Sequence, residues 1–329
     1  MPLALVTGST GFIGSHICRL LLEQGWQVRA FHRPASPLAN LQGLAVEHVA
    51  GDLTQPETLA PALDGVEAAF HVAAQLGSRS PEKLQRVTVE GTHAFLQAAR
   101  RAGVRRTVYT SSVAALGFPE RPARGLAPAP IDENHSWNLP GNWWPYGYSK
   151  HLAEMEIQAA VAGGQEVVIV NPVVVVGPGD LHRISLGVIE LVARGQAVVA
   201  PPGGLSAIHV SDVARGHLLA LQHGQPGRRY ILSQANLTHL EFLTQIAAIT
   251  GRRPPWGVLP AGLFRLLSGP ASWLQNALAL PFSAQSLRRV GLHFYYHNQR
   301  AERELGFQPA CSLEQAIREA YAWSRASTG

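Results

Sequence analysis

The 329-residue chain contains two cysteines and two lysines, and each scarcity narrows what the protein can be. Cys18 and Cys311 are too few for a disulfide framework, and no group of cysteines and histidines has the spacing of a zinc site, so we expect no metal. The opening "MPLALVTGSTG" lacks a charged and apolar leader. These features predict a cytoplasmic protein.

Long hydrophobic runs and clustered charges are missing too. The longest apolar stretch, 256–282, is broken by Arg265, Gly269, Pro270 and Gln275, so it predicts a pair of helices lining a substrate pocket and no membrane span. Association with a membrane surface is the alternative. The net charge of +5 comes from arginines spread along the chain, which predicts an anionic small ligand and no nucleic-acid partner.

The first half of the chain alternates between strand and helix patterns with short connections. This alternation is typical of an α/β fold with a parallel sheet covered on both faces, a doubly wound arrangement. The predicted strands are 3–7, 27–31, 45–50, 67–73, 106–111 and 166–171, and the predicted helices are 12–25, 56–64, 81–102 and 146–163.

After Pro172 the alternation loosens. We expect 173–205 and 236–329 to form a smaller, mainly helical substrate-binding domain. The main domain would then comprise 1–172 and 206–235, with 206–222 forming a strand and a helix capped by Ser211.

Three glycines, Gly8, Gly11 and Gly14, stand between the first strand and the first helix in "LVTGSTGFIGSH". Glycines permit a tight turn there, and the free N–H groups of the helix N-terminus favour an anion. This context predicts a site for the pyrophosphate of a dinucleotide.

Two more strand ends carry candidates for the same ligand. Asp52 follows the third strand and can accept from an adenine amino group, with Leu53 against the base. Alternatively, Asp52 caps the next helix, although Thr54 is an equally good cap. The small residues of "HVAAQ" (71–75) allow a ligand to lie against the backbone, while His71 itself is expected to be structural.

The segment "PYGYSK" places Tyr146 four residues before Lys150 on a helix that begins at Pro145. Residues four apart share a helix face, whereas Tyr148 points away. A nearby ammonium favours the phenolate and lowers a phenol pKa from about 10 toward the range of a general acid or base. The alternative is an incidental amphipathic pair.

The end of the fifth strand, "YTSSVAALG", supplies two serines at the same sheet edge. A serine here can hydrogen-bond a substrate carbonyl that Tyr146 protonates. Ser111 and Ser112 point to opposite faces if both are in the strand, so one of them at most plays this part. The alternative is that both are ordinary loop serines.

Together these residues resemble the extended short-chain dehydrogenase/reductases, which include nucleotide-sugar epimerases and dehydratases, dihydroflavonol and cinnamoyl-CoA reductases, and 3β-hydroxysteroid dehydrogenases. The pieces run in family order from residue 7 to 307: "TGSTGFIGS", "GDL", "HVAA", "VEGT", "YTSSVA", "YGYSK", "NPVVVVGPGD", "IHVSDVARG" and "ERELGF". The resemblance implies a Rossmann fold that binds NAD(P), with Ser112, Tyr146 and Lys150 catalytic. It also implies that Pro172 and Val175 line the nicotinamide.

The sequence departs from the family at two places. Thr88 stands where the family usually has asparagine. The arginine that nucleotide-sugar enzymes commonly carry shortly before "IHV" is missing from "GGLSAIHV". This missing arginine, together with Trp137, Trp143 and Trp144 before the catalytic helix, predicts a largely apolar substrate without a diphosphate.

The second strand predicts which cofactor is preferred. An NAD site usually ends this strand with an acid, but here His32 occupies that place and Arg33 follows. Arg33 suits a phosphate, so we expect NADP(H), with NAD(H) as the alternative. The predicted cofactor-binding residues are Gly8, Thr10, Gly11, Phe12, Ile13, Gly14, His32, Arg33, Asp52, Leu53, Val72, Ala73, Ala74, Tyr146, Lys150, Pro172 and Val175.

The function expected from these residues is reversible hydride transfer between nicotinamide and a carbonyl or alcohol of a small molecule, as in a dihydroflavonol-type reductase. The alternatives are a sugar epimerase or dehydratase with the same Ser-Tyr-Lys site, and a non-catalytic NADP-sensing protein. A homodimer is left open.

Overall fold

The computed structural model describes residues 1–75, 80–120, 128–263 and 289–326. Within them, seven strands form the central sheet in the order β3-β2-β1-β4-β5-β6-β9, and every neighbouring pair is parallel. The six strands predicted in the first half are confirmed within a few residues. The strands are β1 Leu3–Thr7, β2 Gln27–His32, β3 Glu47–Ala50, β4 Ala68–His71, β5 Arg106–Thr110, β6 Val167–Pro172 and β9 Arg229–Leu232.

Helices cover both faces of this sheet, which confirms the doubly wound α/β fold. One face packs against α1 and α7 through a cluster that includes Ile17, Leu21 and Val213. The other packs against α2, α4 and α5 through residues such as Phe95 and Ile157. The helices are α1 Phe12–Glu23, α2 Leu59–Leu63, α3 Pro81–Leu84, α4 Gly91–Arg101, α5 Pro145–Ala162 and α7 Val210–His223.

A smaller unit with its own hydrophobic core lies beside the large sheet. It contains a second sheet, in which β8 pairs in parallel with β7 and β11 and antiparallel with β10. Its elements are β7 Val174–Val176, α6 Leu186–Ala193, β8 Gly204–His209, β10 Ala235–Thr238, α8 His239–Thr250, β11 His293–Phe294 and α10 Leu313–Ala326. The helix α9, Gln299–Leu305, packs instead against α7 and β9.

Two details of this region differ from expectation. β8 was expected in the main sheet but pairs in the small one, because a buried apolar strand carries no local signal for its partner. Ser211 was expected to cap α7, but the side chain of His209 accepts from the Ser211 N–H instead. The division of the chain into two domains remains our interpretation.

The predicted helix at 81–102 contains an irregular segment. Its middle, Gln85–Glu90, is a π-helix between α3 and α4. Such segments often occur at functional sites, and this one carries Thr88. None of the helices in the described part of the chain is long and apolar enough to cross a membrane. The predicted helix pair at 256–282 falls largely outside the described residues.

Candidate active site

The glycine loop joins β1 to α1 and leaves the helix N-terminus open. Gly8 has φ +64°, and a side chain there would place its Cβ 2.9 Å from the Ala73 backbone nitrogen. A Cβ on Gly14 would lie 2.3 Å from the Gly8 carbonyl oxygen. Gly11 caps α1 without a side-chain hydrogen bond, and the first turn carries no acidic residue. The free N–H groups and helix dipole fit a pyrophosphate.

A cavity of about 580 Å³ runs along the carboxyl edge of the sheet from this loop to Tyr146. This is the edge at which doubly wound folds bind their ligands. All of the residues predicted for the site line it: Gly8, Thr10, Gly11, Phe12, Ile13, Gly14, His32, Arg33, Asp52, Leu53, Val72, Ala73, Ala74, Ser112, Tyr146, Lys150, Pro172 and Val175.

His32, Arg33 and Asp52 line the part of the cavity formed by the ends of β2 and β3. The His32 ring contacts His48, with 3.3 Å between Nε2 and Nδ1. Asp52 Oδ1 accepts from both the N–H and the hydroxyl of Thr54, at 2.8 and 2.9 Å. Neither Asp52 nor Thr54 is the N-cap of a following helix, and Asp52 instead closes the turn before it with one of its oxygens.

His71 supports the cavity wall from behind. Its Nδ1 lies 2.9 Å from the Thr7 hydroxyl, which also accepts from the N–H groups of Val72 and Ala73. Burial lowers the pKa of His71 to about 3, so the ring is neutral. Its Nε2 contacts Thr92, whose hydroxyl donates to the Thr88 carbonyl. His71 is structural, as expected, and holds the backbone of the predicted cofactor wall.

Thr88, at the position where the family usually has asparagine, also contacts this wall. Its hydroxyl accepts from the Gln75 N–H at 3.3 Å. A threonine can therefore order the end of the segment after β4 through the backbone.

Tyr146 is half-buried in the cavity and lies beside Ser112. Burial raises the pKa of Tyr146 to about 12, and the hydrogen bond from Ser112 opposes this shift. That Lys150 lowers the pKa of Tyr146 stays a prediction. The structure also separates the two serines: Ser112 lies at Tyr146, and Ser111 donates to Glu154.

Lys150 is fully buried under the same site. Its Nζ donates to the Thr110 carbonyl at 2.7 Å and lies 4.9 Å from the centre of the Tyr109 ring. Burial lowers the pKa of Lys150 to about 7, and the nearby Glu154 carboxylate opposes the shift.

The three tryptophans before α5 lie in different surroundings. Trp144 lines the cavity, but Trp137 packs against Tyr148 and His151 on α5. Trp143 is 42% exposed. Of the three tryptophans expected at the substrate, one is therefore in place, because loop residues have no periodicity that would fix the direction of a side chain.

Two residues that sequence reasoning missed stand at the site. Glu154 is buried beside Lys150, and its spacing of four residues on the same helix was the available signal. Arg289 lines the cavity with its guanidinium 5.5 Å from the Trp144 ring. No motif announced Arg289, which comes from a distant part of the chain. No cluster of possible metal ligands occurs in the part of the chain that the structure describes.

The fold and this site define an oxidoreductase of the extended short-chain dehydrogenase/reductase type. The model of the NAD dependent epimerase/dehydratase family matches residues 4–233. A dihydroflavonol 4-reductase candidate of Synechocystis sp. is 37% identical over 97% of this chain and 93% of its own. Sterol demethylase protein B of Methylococcus capsulatus is 35% identical over 98% of both chains. The crystal structure of gox2253 has a TM-score of 0.85 and 33% identity, covering 99% of each chain.

The chain therefore belongs to the NAD-dependent epimerase/dehydratase family, which confirms the resemblance drawn from its motifs.

Proposed function

We propose that the protein is an NADPH-dependent reductase that converts the carbonyl group of a mainly apolar small molecule to an alcohol, reversibly. The observation that carries this proposal is the placement of Tyr146 beside Ser112 and one helical turn from Lys150, in a cavity continuous with the glycine loop. The relative from Synechocystis sp. carries a reductase name, which supports the same direction.

The chain's own groups are arranged to move one proton. The Tyr146 hydroxyl donates to the substrate oxygen as the carbonyl is reduced, and Ser112 orients that oxygen by a hydrogen bond. Lys150 supplies positive charge that stabilises the phenolate left on Tyr146. The bound nicotinamide would supply the hydride.

The cofactor would be held by the loop with Gly8 and Gly11 at its pyrophosphate and by Asp52 near its adenine. The NADP(H) preference rests on Arg33, a permanent cation that lines the cavity at the end of β2. His32 occupies the place of the acid that would accept from the ribose of NAD. The cation and the missing acid both favour a 2′-phosphate.

The substrate end of the cavity favours an apolar molecule. Trp144 packs at 6.0 Å from Phe294, and Val113 and Leu205 complete an apolar wall near Tyr146. Apolar and aromatic walls with a few placed polar groups are typical of sites for small organic ligands. The substrate name carried by the Methylococcus capsulatus relative, a sterol, is of the same chemical kind.

One observation favours the second candidate, a sugar-nucleotide epimerase or dehydratase. Burial lowers the pKa of Arg289, yet its guanidinium still faces the cavity beside Trp144. A buried guanidinium suits a phosphate or carboxylate on the substrate. The non-catalytic alternative is disfavoured by the intact Ser112, Tyr146 and Lys150.

A turnover assay separates the three candidates. The protein is supplied with NADPH and a panel of aromatic, alicyclic and acyl-thioester carbonyl compounds, and in parallel with nucleotide-diphosphate sugars. A reductase oxidises NADPH with members of the carbonyl panel. An epimerase converts the sugar without net oxidation, and a sensor does neither. The homodimer and the cytoplasmic location remain proposals. Gel filtration coupled to light scattering tests the homodimer. Expression in the source cell followed by fractionation tests the location.

A further inference from the structure

Glu154 is a carboxylate buried to 1% exposure in the middle of α5. It follows Lys150 by four residues and Tyr146 by eight, so the three side chains share one face of the helix. A buried carboxylate is costly unless it is paired and hydrogen-bonded. The contacts that stabilise it therefore indicate what it is for.

Those contacts lead to the serines of the site. Glu154 Oε1 accepts from the Ser111 hydroxyl and from Asn171 Nδ2, the latter at 2.7 Å. Asn171 Nδ2 also donates to the Ser112 carbonyl at 3.0 Å. One oxygen of Glu154 thus ties the end of β5, where Ser112 begins its turn, to the helix that carries Tyr146.

The other oxygen balances charge. Glu154 Oε2 accepts from Arg229 Nε at 2.6 Å, an ion pair between α5 and β9. The buried carboxylate is paired with Arg229 on the edge strand, and Lys150 precedes it by one turn on its own helix. Its negative charge favours the ammonium form of Lys150, which burial alone disfavours.

We propose that Glu154 is a positioning residue for the reaction, which fixes the Ser112 backbone through Asn171 and places a negative charge one helical turn from the Lys150 ammonium. The purpose of this role rests on the proposed reductase function, whereas the contacts and the charge of Glu154 do not depend on that function. The competing account is that Glu154 only staples α5 to β9 through Arg229. The two accounts differ in what happens to Lys150.

The scarcity of lysine makes Lys150 directly observable. The chain has two lysines, so protein labelled with ¹³C-lysine gives two side-chain resonances, and Lys83→Arg assigns them. Lys83 is exposed and serves as the reference in each spectrum. The midpoint at which the Lys150 resonance titrates reports its protonation without any substrate.

Glu154→Gln keeps the size and an acceptor oxygen but removes the charge. The Lys150 midpoint is expected to fall by at least about one pH unit, since an opposite charge at close range shifts a pKa by about one to three units. Arg229→Gln breaks the same ion pair but removes a positive charge, so the midpoint is expected to rise. If Glu154 only staples α5 to β9 and its charge does not act on Lys150, the midpoint stays unchanged in Glu154→Gln, and that result overturns the proposal.

Glu304→Gln is the matched control. Glu304 forms an ion pair with Arg228, the neighbour of Arg229, at 2.6 Å and touches none of the reacting groups. Its removal should leave the Lys150 midpoint as in the wild type. If Glu154→Gln does not fold, the Lys150 midpoint in Arg229→Gln decides alone. A lower or an unchanged midpoint in that variant contradicts the proposed placement of the charges.

Turnover provides a second readout. With any carbonyl compound that the wild type reduces, Glu154→Gln should lower kcat at least about tenfold with little change in the KM for NADPH, a tenfold loss being typical of a weakened proton transfer. If the wild type reduces no carbonyl compound, the proposed reductase function fails, while the Lys150 titration still decides the placement of Glu154.

Discussion

The buried histidine of α7 makes the stability of this protein depend on pH in a calculable way. His217 lies with its Nδ1 2.8 Å from the Val213 carbonyl and its Nε2 2.7 Å from the Thr110 hydroxyl. A carbonyl only accepts, so Nδ1 carries the proton and Nε2 accepts from Thr110. Both hydrogen bonds therefore fit the neutral form of the ring. Burial lowers the pKa of His217 from 6.5 to about 4.

The sign of the effect follows from linkage. The folded pKa of His217 lies below the unfolded value, so the stabilisation is complete above pH 6.5 and is lost as the pH falls toward 4. One unit of pKa shift is worth about 1.36 kcal/mol, so His217 contributes roughly 3 kcal/mol to the free energy of unfolding at high pH. About 2 kcal/mol of this contribution is already lost at pH 5.

Urea unfolding of the wild type and of His217→Gln at pH 7.5 and pH 5 measures this contribution. The variant will be less stable than the wild type at pH 7.5, but its loss of stability between the two values should be smaller by about 2 kcal/mol. His223→Gln, at the exposed end of the same helix, should follow the wild type. Equal losses in the wild type and His217→Gln would refute the reasoning.

Three further predictions concern the site. Tyr146→Phe should lower kcat by at least about a hundredfold with cofactor affinity nearly unchanged, whereas Tyr148→Phe should be mild, and equal losses would contradict the assignment. NADPH should bind at least about tenfold more tightly than NADH by calorimetry, a difference of roughly 1.4 kcal/mol, and Arg33→Ala should remove that preference; a similar weakening of both cofactors counts against it. Gly14→Ala should weaken both cofactors far more than Gly11→Ala, because the added Cβ meets the Gly8 carbonyl at 2.3 Å in one case and 3.1 Å in the other.

Local sequence predicted the strands of the main sheet well because the residue pattern of a strand is a short-range feature. The order of glycines after β1 and the four-residue spacing of Tyr146 and Lys150 required only helix and turn geometry. Contacts between distant segments were beyond such reasoning, as shown by the pairing of β8 and by Arg289 in the cavity.

The pKa of Lys150 could not be predicted from the sequence either. Spacing predicted that it shares a helix face with Tyr146, but the cost of burying its ammonium depends on Glu154 and the surrounding core. The balance between desolvation and charge can be judged only once the packing is known.

The two sheets meet at the cavity, and each contributes a different part of it. Ser112, Tyr146 and Lys150 follow or flank strands of the large sheet, whereas Leu205 and Phe294 lie on β8 and β11 of the small one. In the proposed mechanism, reactivity and selectivity are thus assigned to separate stretches of the chain. Substitutions in the small sheet can change which molecules are accepted while the proton-transfer groups stay in register, an arrangement suited to the divergence of new enzymes from one ancestor.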